Sequence, residues 1–465
     1  MGPHDGVPGQ EPLTNRPALG LVVVGLGASL APLDIAVNVA LPAITSHFKL
    51  ALGDVQWLVI CYVLVYGSLM LVCGKLGDLF GHRLIFRLGL LLSAFGCAAC
   101  AAAPDWPLFL WARAGQGVGT ALALSCAPAL ATSLYPESGR TRALGAFAAA
   151  QQWARGCSDS LGGALIVLWD WSAVYWMRVP VALLALAFSG ILPSPKPDER
   201  PFDALGALLL SFCMSALLLA LVFSQRPAVP GWMAAVLAAV ALAGVAAFIH
   251  RENRFPEPII RPALFADAAF SVPNIMNVLA NLAGFAILLL TPYYLVNVQG
   301  LSAFTGGLVL SLPFAGAVAS ASLAARIVRR FGQRRAAFAG IVVESLALLA
   351  LGRGGAETSL VLIALPLLVL GLGQGLLTVA YTDIVTATLA RRDRGVAGSL
   401  ALLTRTLGIV SGATVLTALH AHGAAGLAAP EAFLAGYRYA FTVAGLGLLG
   451  ALAISCLWPR VWFAR

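Results

Sequence analysis

Apolar stretches of about twenty residues recur along the whole chain, and that recurrence leaves few folds open. A helix rises about 1.5 Å per residue, so about twenty apolar residues cross the roughly 30 Å hydrocarbon layer of a membrane. Inside lipid each backbone N–H and C=O must be satisfied within the segment, which a helix does. Composition agrees. Charged residues make up 11% of the 465, and apolar types 60%, whereas soluble domains carry about 25% charge. The expected fold is an all-α integral membrane protein.

About fourteen candidate spans fall at 19–41, 55–73, 84–103, 108–134, 143–168, 172–192, 205–223, 232–249, 272–296, 305–328, 336–351, 360–387, 396–419 and 437–458. Residues 1–18 are polar and rich in Gly and Pro, and read as a disordered cytoplasmic tail without a signal peptide. Charged, proline-bearing breaks at 193–201 and 250–261 divide the rest. They leave a six-span bundle at 19–195, a linker with two inserted spans at 196–262, and a second six-span bundle with a short tail at 263–465.

With both termini cytoplasmic, 21 Lys and Arg fall in inner segments and only Lys49, Arg226, Arg353 and Arg438 in outer ones. That bias is what the positive-inside rule demands, and one missed span would destroy it. The net charge of +9 therefore reports orientation in a cytoplasmic membrane, not a nucleic-acid partner. Of the 8 cysteines, most lie in apolar runs; Cys97 and Cys100 have no matching second pair and read as packing residues, with no metal site.

The chain repeats itself at an offset of about 250 residues. Pro42 matches Pro292, each placed at the end of the first span of its half. Gly81-His82-Arg83 matches Gly332-Gln333-Arg334, and Gly115-Gln116-Gly117 is echoed by Gly373-Gln374-Gly375. Arg155 and Gly162 match Arg405 and Gly412. Two related halves follow, with the pair of spans at 205–249 between them.

The segment Gly74-Lys75-Leu76-Gly77-Asp78-Leu79-Phe80-Gly81-His82-Arg83 reads as a charged, glycine-punctuated turn between the second and third spans, which are then antiparallel neighbours. Its pattern resembles the loop signature of the major facilitator superfamily of transporters. The resemblance implies a cytoplasmic gate at Gly74, Asp78, Gly81 and Arg83, with the Asp bridging the two halves. Leu79 and His82 replace the basic residues usual there. The segment Leu33-Asp34-Ile35-Ala36-Val37-Asn38-Val39-Ala40-Leu41-Pro42 resembles the first-span signature of the fourteen-span drug–proton antiporters of that superfamily, in which the Asp is linked to proton coupling.

Ionisable residues in a bilayer are costly and therefore candidates for function. Eight stand out: Asp34, Arg113, Arg155, Asp159, Arg178, Glu344, Asp383 and Arg405. Asn38 lies one turn beyond Asp34 on the same face. Arg113, in Arg113-Ala114-Gly115-Gln116-Gly117, matches the family's Arg-x-x-Gln-Gly. An Arg does not give up its proton, so its role towards Asp34 is electrostatic. In Arg155-Gly156-Cys157-Ser158-Asp159-Ser160-Leu161-Gly162-Gly163, Ser158-Asp159 stands where such antiporters carry Gly-Pro. Arg155 and Asp159 either neutralise each other across one turn or face the substrate. Gly156, Ser160 and Gly163 share a face suited to close packing, as do Gly408 and Gly412 beyond Arg405, with Gly117 a further packing glycine. Glu344 is either a hydrogen-bonded packing residue or a second proton site. Asp383, near the inner end of its span, is placed to bond the Arg391–Arg394 loop as part of the gate. Arg178 is placed to snorkel outward. Tyr62, Trp153, Phe285 and Tyr293 join Asn38, Arg155 and Arg405 as candidate lining of a substrate path.

No nucleotide-binding Gly-x-x-x-x-Gly-Lys-Ser/Thr, His-Glu-x-x-His or Gly-x-Ser-x-Gly is present, so neither ATP nor a catalytic metal has a recognisable seat. The resemblance implies a monomeric transporter, driven by the proton gradient without a cofactor, that exports lipophilic and often cationic drugs. Uptake, or export of an acidic metabolite, is the alternative within the same fold. A membrane-embedded lipid-linked transferase would want clustered acidic or His residues that the loops lack.

Overall fold

The computed structural model describes residues 17–135, 140–193, 203–224, 229–255, 262–388, 394–428 and 431–463. Among these residues every regular element is helical. The chain opens with α1 (Pro17–Leu33) and α2 (Ala36–His47), set at 42° to each other across a two-residue break. Then come α3 (Leu52–Phe80), α4 (His82–Ala101), α5 (Trp106–Ser133), α6 (Arg140–Leu168), and the pair α7 (Ala173–Trp176) and α8 (Arg178–Phe188). α9 (Ala204–Ser224) and α10 (Gly231–Glu252) follow as an antiparallel pair. The second half holds α11 (Ala268–Tyr293), which passes into a π-helical turn, α12 (Ala303–Leu310), α13 (Leu312–Phe331), α14 (Gln333–Leu351), α15 (Leu360–Thr388), α16 (Arg394–Ala424), α17 (Glu431–Ser455) and α18 (Pro459–Phe463).

Among the described residues nine helices are long and apolar enough to cross a membrane, ten if α1 and α2 form one bent span. Four of the fourteen expected stretches, those on α5, α6, α9 and α14, are not among these, although a helix covers each. Of these, α6 carries Arg155 and Asp159, and α14 carries Glu344. Pro42 does not end its helix: α2 runs on to His47. Pro292 lies one residue before the end of α11.

The stretch expected as a ten-residue turn is mostly helix. α3 continues through Gly74, Gly77 and Asp78 to Phe80, and the chain reverses at Gly81 alone, with φ of +94°. That region is open to glycine and strained for other residues, so one residue replaces a loop. Gly332 repeats the device between α13 and α14 at φ +86°. The arginine two places on is used alike in both halves. Arg83 Nη1 donates to the Leu192 carbonyl at 3.1 Å, and Arg334 Nη1 to the Val461 carbonyl at 2.7 Å. Leu192 follows the 3-10 turn after α8 and Val461 lies in the short α18, both places where intrahelical donors run out.

Small residues set the closest helix approaches. Gly117 lies against the Tyr62 carbonyl, Gly162 against Ala36, Gly408 against the Val278 carbonyl and Gly412 against the Leu282 carbonyl. α6 crosses α12 where Gly163 meets the Ala303 backbone and Gly307 the Asp159 backbone. Gly156 is an exception: among the described residues nothing lies within 4 Å of a Cβ placed there. The Gly156–Gly163 face is thus not one continuous seam, because contact begins only near Asp159, where α12 reaches α6.

Candidate functional site

The site starts from a broken helix. Pro32 has no N–H to give to the Ala28 carbonyl, and Gln151 Nε2 of α6 donates to that carbonyl instead, at 3.3 Å. One turn on, Ser158 Oγ accepts from Ala36 N at 2.8 Å and donates to the Leu33 carbonyl at 3.0 Å. α6 therefore supplies the bonds that the break between α1 and α2 leaves open. Asp34 sits in that break.

Its carboxylate is held by two arginines. Asp34 Oδ1 accepts from Arg113 Nη1 at 2.7 Å and from Gln116 Nε2 at 3.2 Å, and Oδ2 accepts from Arg113 Nη2 at 3.0 Å. Arg178 Nη1 also donates to Oδ1. Arg113 is anchored further by Gln116 Oε1 at 2.8 Å and the Leu58 carbonyl at 3.3 Å, and Arg178 by the Val174 carbonyl at 3.3 Å. The Tyr62 ring lies 4.5 Å from the Arg113 guanidinium and the Tyr175 ring 4.8 Å from that of Arg178. Both arginines are buried, at 1% and 0% exposure, and among the described residues Nη2 of Arg178 has no partner. The cluster thus holds two positive charges against one negative, out of water, where pairing and hydrogen bonding must offset desolvation.

Asp34 and Arg113 form part of the wall of a cavity of 190 Å³ at the seam between the halves. Asn38, Tyr62 and Arg155 line it from the first half, and Phe285, Gln374 and Arg405 from the second. A second cavity, of 380 Å³, abuts it through Arg155, Asn281, Phe314, Gln374 and Arg405. This one runs along α15 past Thr378 and Thr382, both exposed. Glu344 belongs to its wall, fully buried, with Oε1 accepting from Gln374 Nε2 at 3.1 Å. At the opposite end of the seam the halves touch: Thr45 and Tyr293 share a hydrogen bond of 2.6 Å, and α6 crosses α12.

Several expectations change. Arg178 does not snorkel: at the start of α8 it turns inward and donates to Asp34. Arg155 and Asp159 do not pair. Asp159 is fully buried beside α12, and among the described residues neither carboxylate oxygen has a hydrogen-bond partner, while Arg155 turns to the cavities. Trp153 is 76% exposed and lines neither cavity, since it lies on the outward face of α6. Tyr293 is part of the contact that closes the seam, not of the cavity wall. Asp78 bridges no halves; its partner is His82 of the same hairpin, at 3.3 Å. Asp383 is exposed at the end of α15, and residues 391–393 of the loop expected to bond it lie outside the described residues. Among the described residues a Cβ at Gly74 would meet only Ser125, at 3.9 Å. Sequence reasoning missed Ser158 and Gln151, whose signal was present: polar side chains in an apolar span need a local acceptor or a remote one.

Membrane-length helices around a seam cavity walled by buried charges define a class, the polytopic membrane transporters. The profile of the Major Facilitator Superfamily matches residues 18–413 and again 273–461, and the chain belongs to that family. It is 31% identical over 407 residues to the multidrug resistance protein Stp of Mycobacterium tuberculosis, covering 86% of this chain and 75% of that protein. It is 31% identical over 418 residues to the tetracenomycin C resistance and export protein of Streptomyces glaucescens, covering 88% and 77%. A bacterial homolog of the human lysosomal transporter Spinster, solved inward-facing and unoccupied, shares the fold. Its TM-score is 0.71 at 16% identity, over 96% of this chain and 98% of that one. The protein is a multi-pass membrane transporter of this family, which is not a family of enzymes.

Proposed function

We propose that this chain is a proton-coupled exporter of lipophilic small molecules, a fourteen-span member of the family. In this reading it consists of two six-helix bundles with α9 and α10 inserted between them, acts as a monomer in the cytoplasmic membrane, and has both termini inside. The relatives named for drug resistance and export support the export of small molecules. The bias of Lys and Arg to one set of loops supports the orientation.

The observation that carries the proposal is the clamp on Asp34. An acid on the wall of a central cavity, in a helix break, with two guanidiniums bound to it, has two states of different charge balance. A proton arriving at Asp34 weakens its hold on Arg113 and Arg178. It thereby alters the helices that carry them, α5 and α8, relative to the broken pair α1 and α2. The contacts at Thr45, Tyr293, Gly163 and Gly307 then form the gate that opens outward as the cavity along α15 closes, an alternating-access cycle. Protonation changes the charge on the wall of the same cavity that takes the substrate, which couples the two gradients.

The test is efflux from inside-out vesicles or proteoliposomes under an imposed proton gradient. Asp34→Asn abolishes gradient-driven efflux. The double variant Asp34→Asn with Arg178→Met restores the wild-type charge of the cluster and still exchanges substrate down its own gradient, without responding to protons. Full proton-driven efflux by either variant would refute the role of Asp34.

A further inference from the structure

We infer that the seam cavity takes lipophilic molecules bearing an anionic group, held between Arg155 and Arg405. This rests on the cavity being the substrate path. The two arginines come from α6 and α16, at matching places in the two repeats, and both line both cavities. Both bring a positive charge to the same two cavities, where like charges repel. Two carboxylates belong to these walls, and neither pairs with Arg405. Asp34 is already shared by Arg113 and Arg178, a cluster with one positive charge in excess. Glu344 accepts from Gln374. Among the described residues Arg405 makes no ion pair or hydrogen bond, and it is only half-buried.

A cation entering this space meets Arg405 and, at Asp34, a cluster with one positive charge in excess. An anion meets two guanidiniums whose planar donors suit carboxylate, sulfonate or phenolate oxygens. Phe285 and Phe314 supply apolar surface for the rest of the molecule. Because one arginine belongs to each half, an anion between them also relieves their repulsion. Substrate itself thus draws the halves together, which favours the occluded state over the open one.

The test uses purified protein in nanodiscs and three probes of one shape: 1-naphthoate, 1-naphthamide and 1-naphthylmethylammonium. The expected result is 1-naphthoate binding at least about ten times tighter than the amide, and the ammonium weakest. Arg405→Gln and Arg155→Gln bring 1-naphthoate down to the affinity of the amide, while Arg405→Lys keeps most of the preference. Equal binding of the three probes, tighter binding of the ammonium, or an undiminished preference in Arg405→Gln would each overturn the inference. The ranking in the wild type stands as a test even if a variant fails to fold. The outcome separates from that of the export proposal. Proton-driven efflux together with an ammonium preference sinks only the anion site, and an anion preference without proton-driven efflux sinks only the coupling.

Discussion

The two halves of the chain place a glutamine between glycines at matching points and use it differently. In the first half Gln116 joins Arg113 and Arg178 on Asp34. In the second, Gln374 meets Glu344, and the position three residues before it is Gly371, packed so closely on Pro313 that a Cβ would lie 1.9 Å from the Pro313 carbonyl oxygen. The counterpart of Asp34 at an offset of 250 is Gly284. A Cβ there would come within 2.3 Å of Gln374 and 2.7 Å of Glu344. The acid has in effect moved from a broken first helix to the middle of α14, and the cation has been exchanged for a tight helix crossing. One repeat holds charge and the other packs backbone on backbone. In the proposed cycle the proton site then lies in one half and a rigid counterpart in the other.

The largest expected break in this contrast is at the acids themselves. Asp34→Asn leaves two buried guanidiniums without a counter-ion, and should cost about 3–5 kcal/mol in stability, the usual scale for a disrupted buried ion pair. Melting in detergent, followed with a dye that reacts with the buried cysteines as they become exposed, reads the loss. Adding Arg178→Met should recover at least half of it. Wild-type melting in the single variant would mean that the cluster is not what holds the first half together.

The glycines sharpen the contrast next. Gly115 and Gly373 are the same position in the two repeats. Nothing lies within 4 Å of a Cβ at Gly115, while one at Gly373 would meet the Gly340 oxygen at 2.7 Å and the Glu344 nitrogen at 2.8 Å. Gly373→Ala should destabilise by about 1–3 kcal/mol, as overpacking does. Gly115→Ala should be neutral or gain about 0.5–1 kcal/mol from helix propensity. Equal effects would mean that the halves pack alike after all.

How much of this was legible beforehand depends on whether a signal is local. Apolar run length located the long helices, and the glycine-arginine corners declared the repeat, because turn geometry and span length are written in adjacent residues. The charged residues were visible as candidates, and the bond between Asp34 and Arg113 was anticipated through a family resemblance. What stayed hidden was helix rotation. Arg178 reaches Asp34 across 144 positions, Ser158 bonds Leu33 and Ala36, and Trp153 and Gly156 face away from where their types suggested. In a nearly uniform apolar helix the face that turns inward is set by neighbouring helices, and sequence periodicity carries little of it. Even so, the counterpart of Ser158 at the same offset is Gly408, pressed against α11. A hydroxyl is needed only in the half whose first helix is broken, and that could be seen by aligning the repeats.

The smallest expected effect tests the contrast most sharply. Glu344 is fully buried, one oxygen accepts from Gln374 and, among the described residues, the other has no partner. If this acid is a packing group, its shape and its one hydrogen bond matter, and its capacity to lose a proton does not. Glu344→Gln keeps the shape and keeps an oxygen to accept from Gln374. It should then shift stability by less than about 1 kcal/mol, within the range of a neutral hydrogen-bond exchange. Proton-driven efflux should stay within about twofold of wild type, against abolition in Asp34→Asn. A fall in proton-driven efflux with substrate exchange intact would show that Glu344 carries a proton. The second half would then be a working partner in coupling, not the rigid counterpart of the first, and the division of labour between the repeats would fail at the point where their glutamines were read as most different.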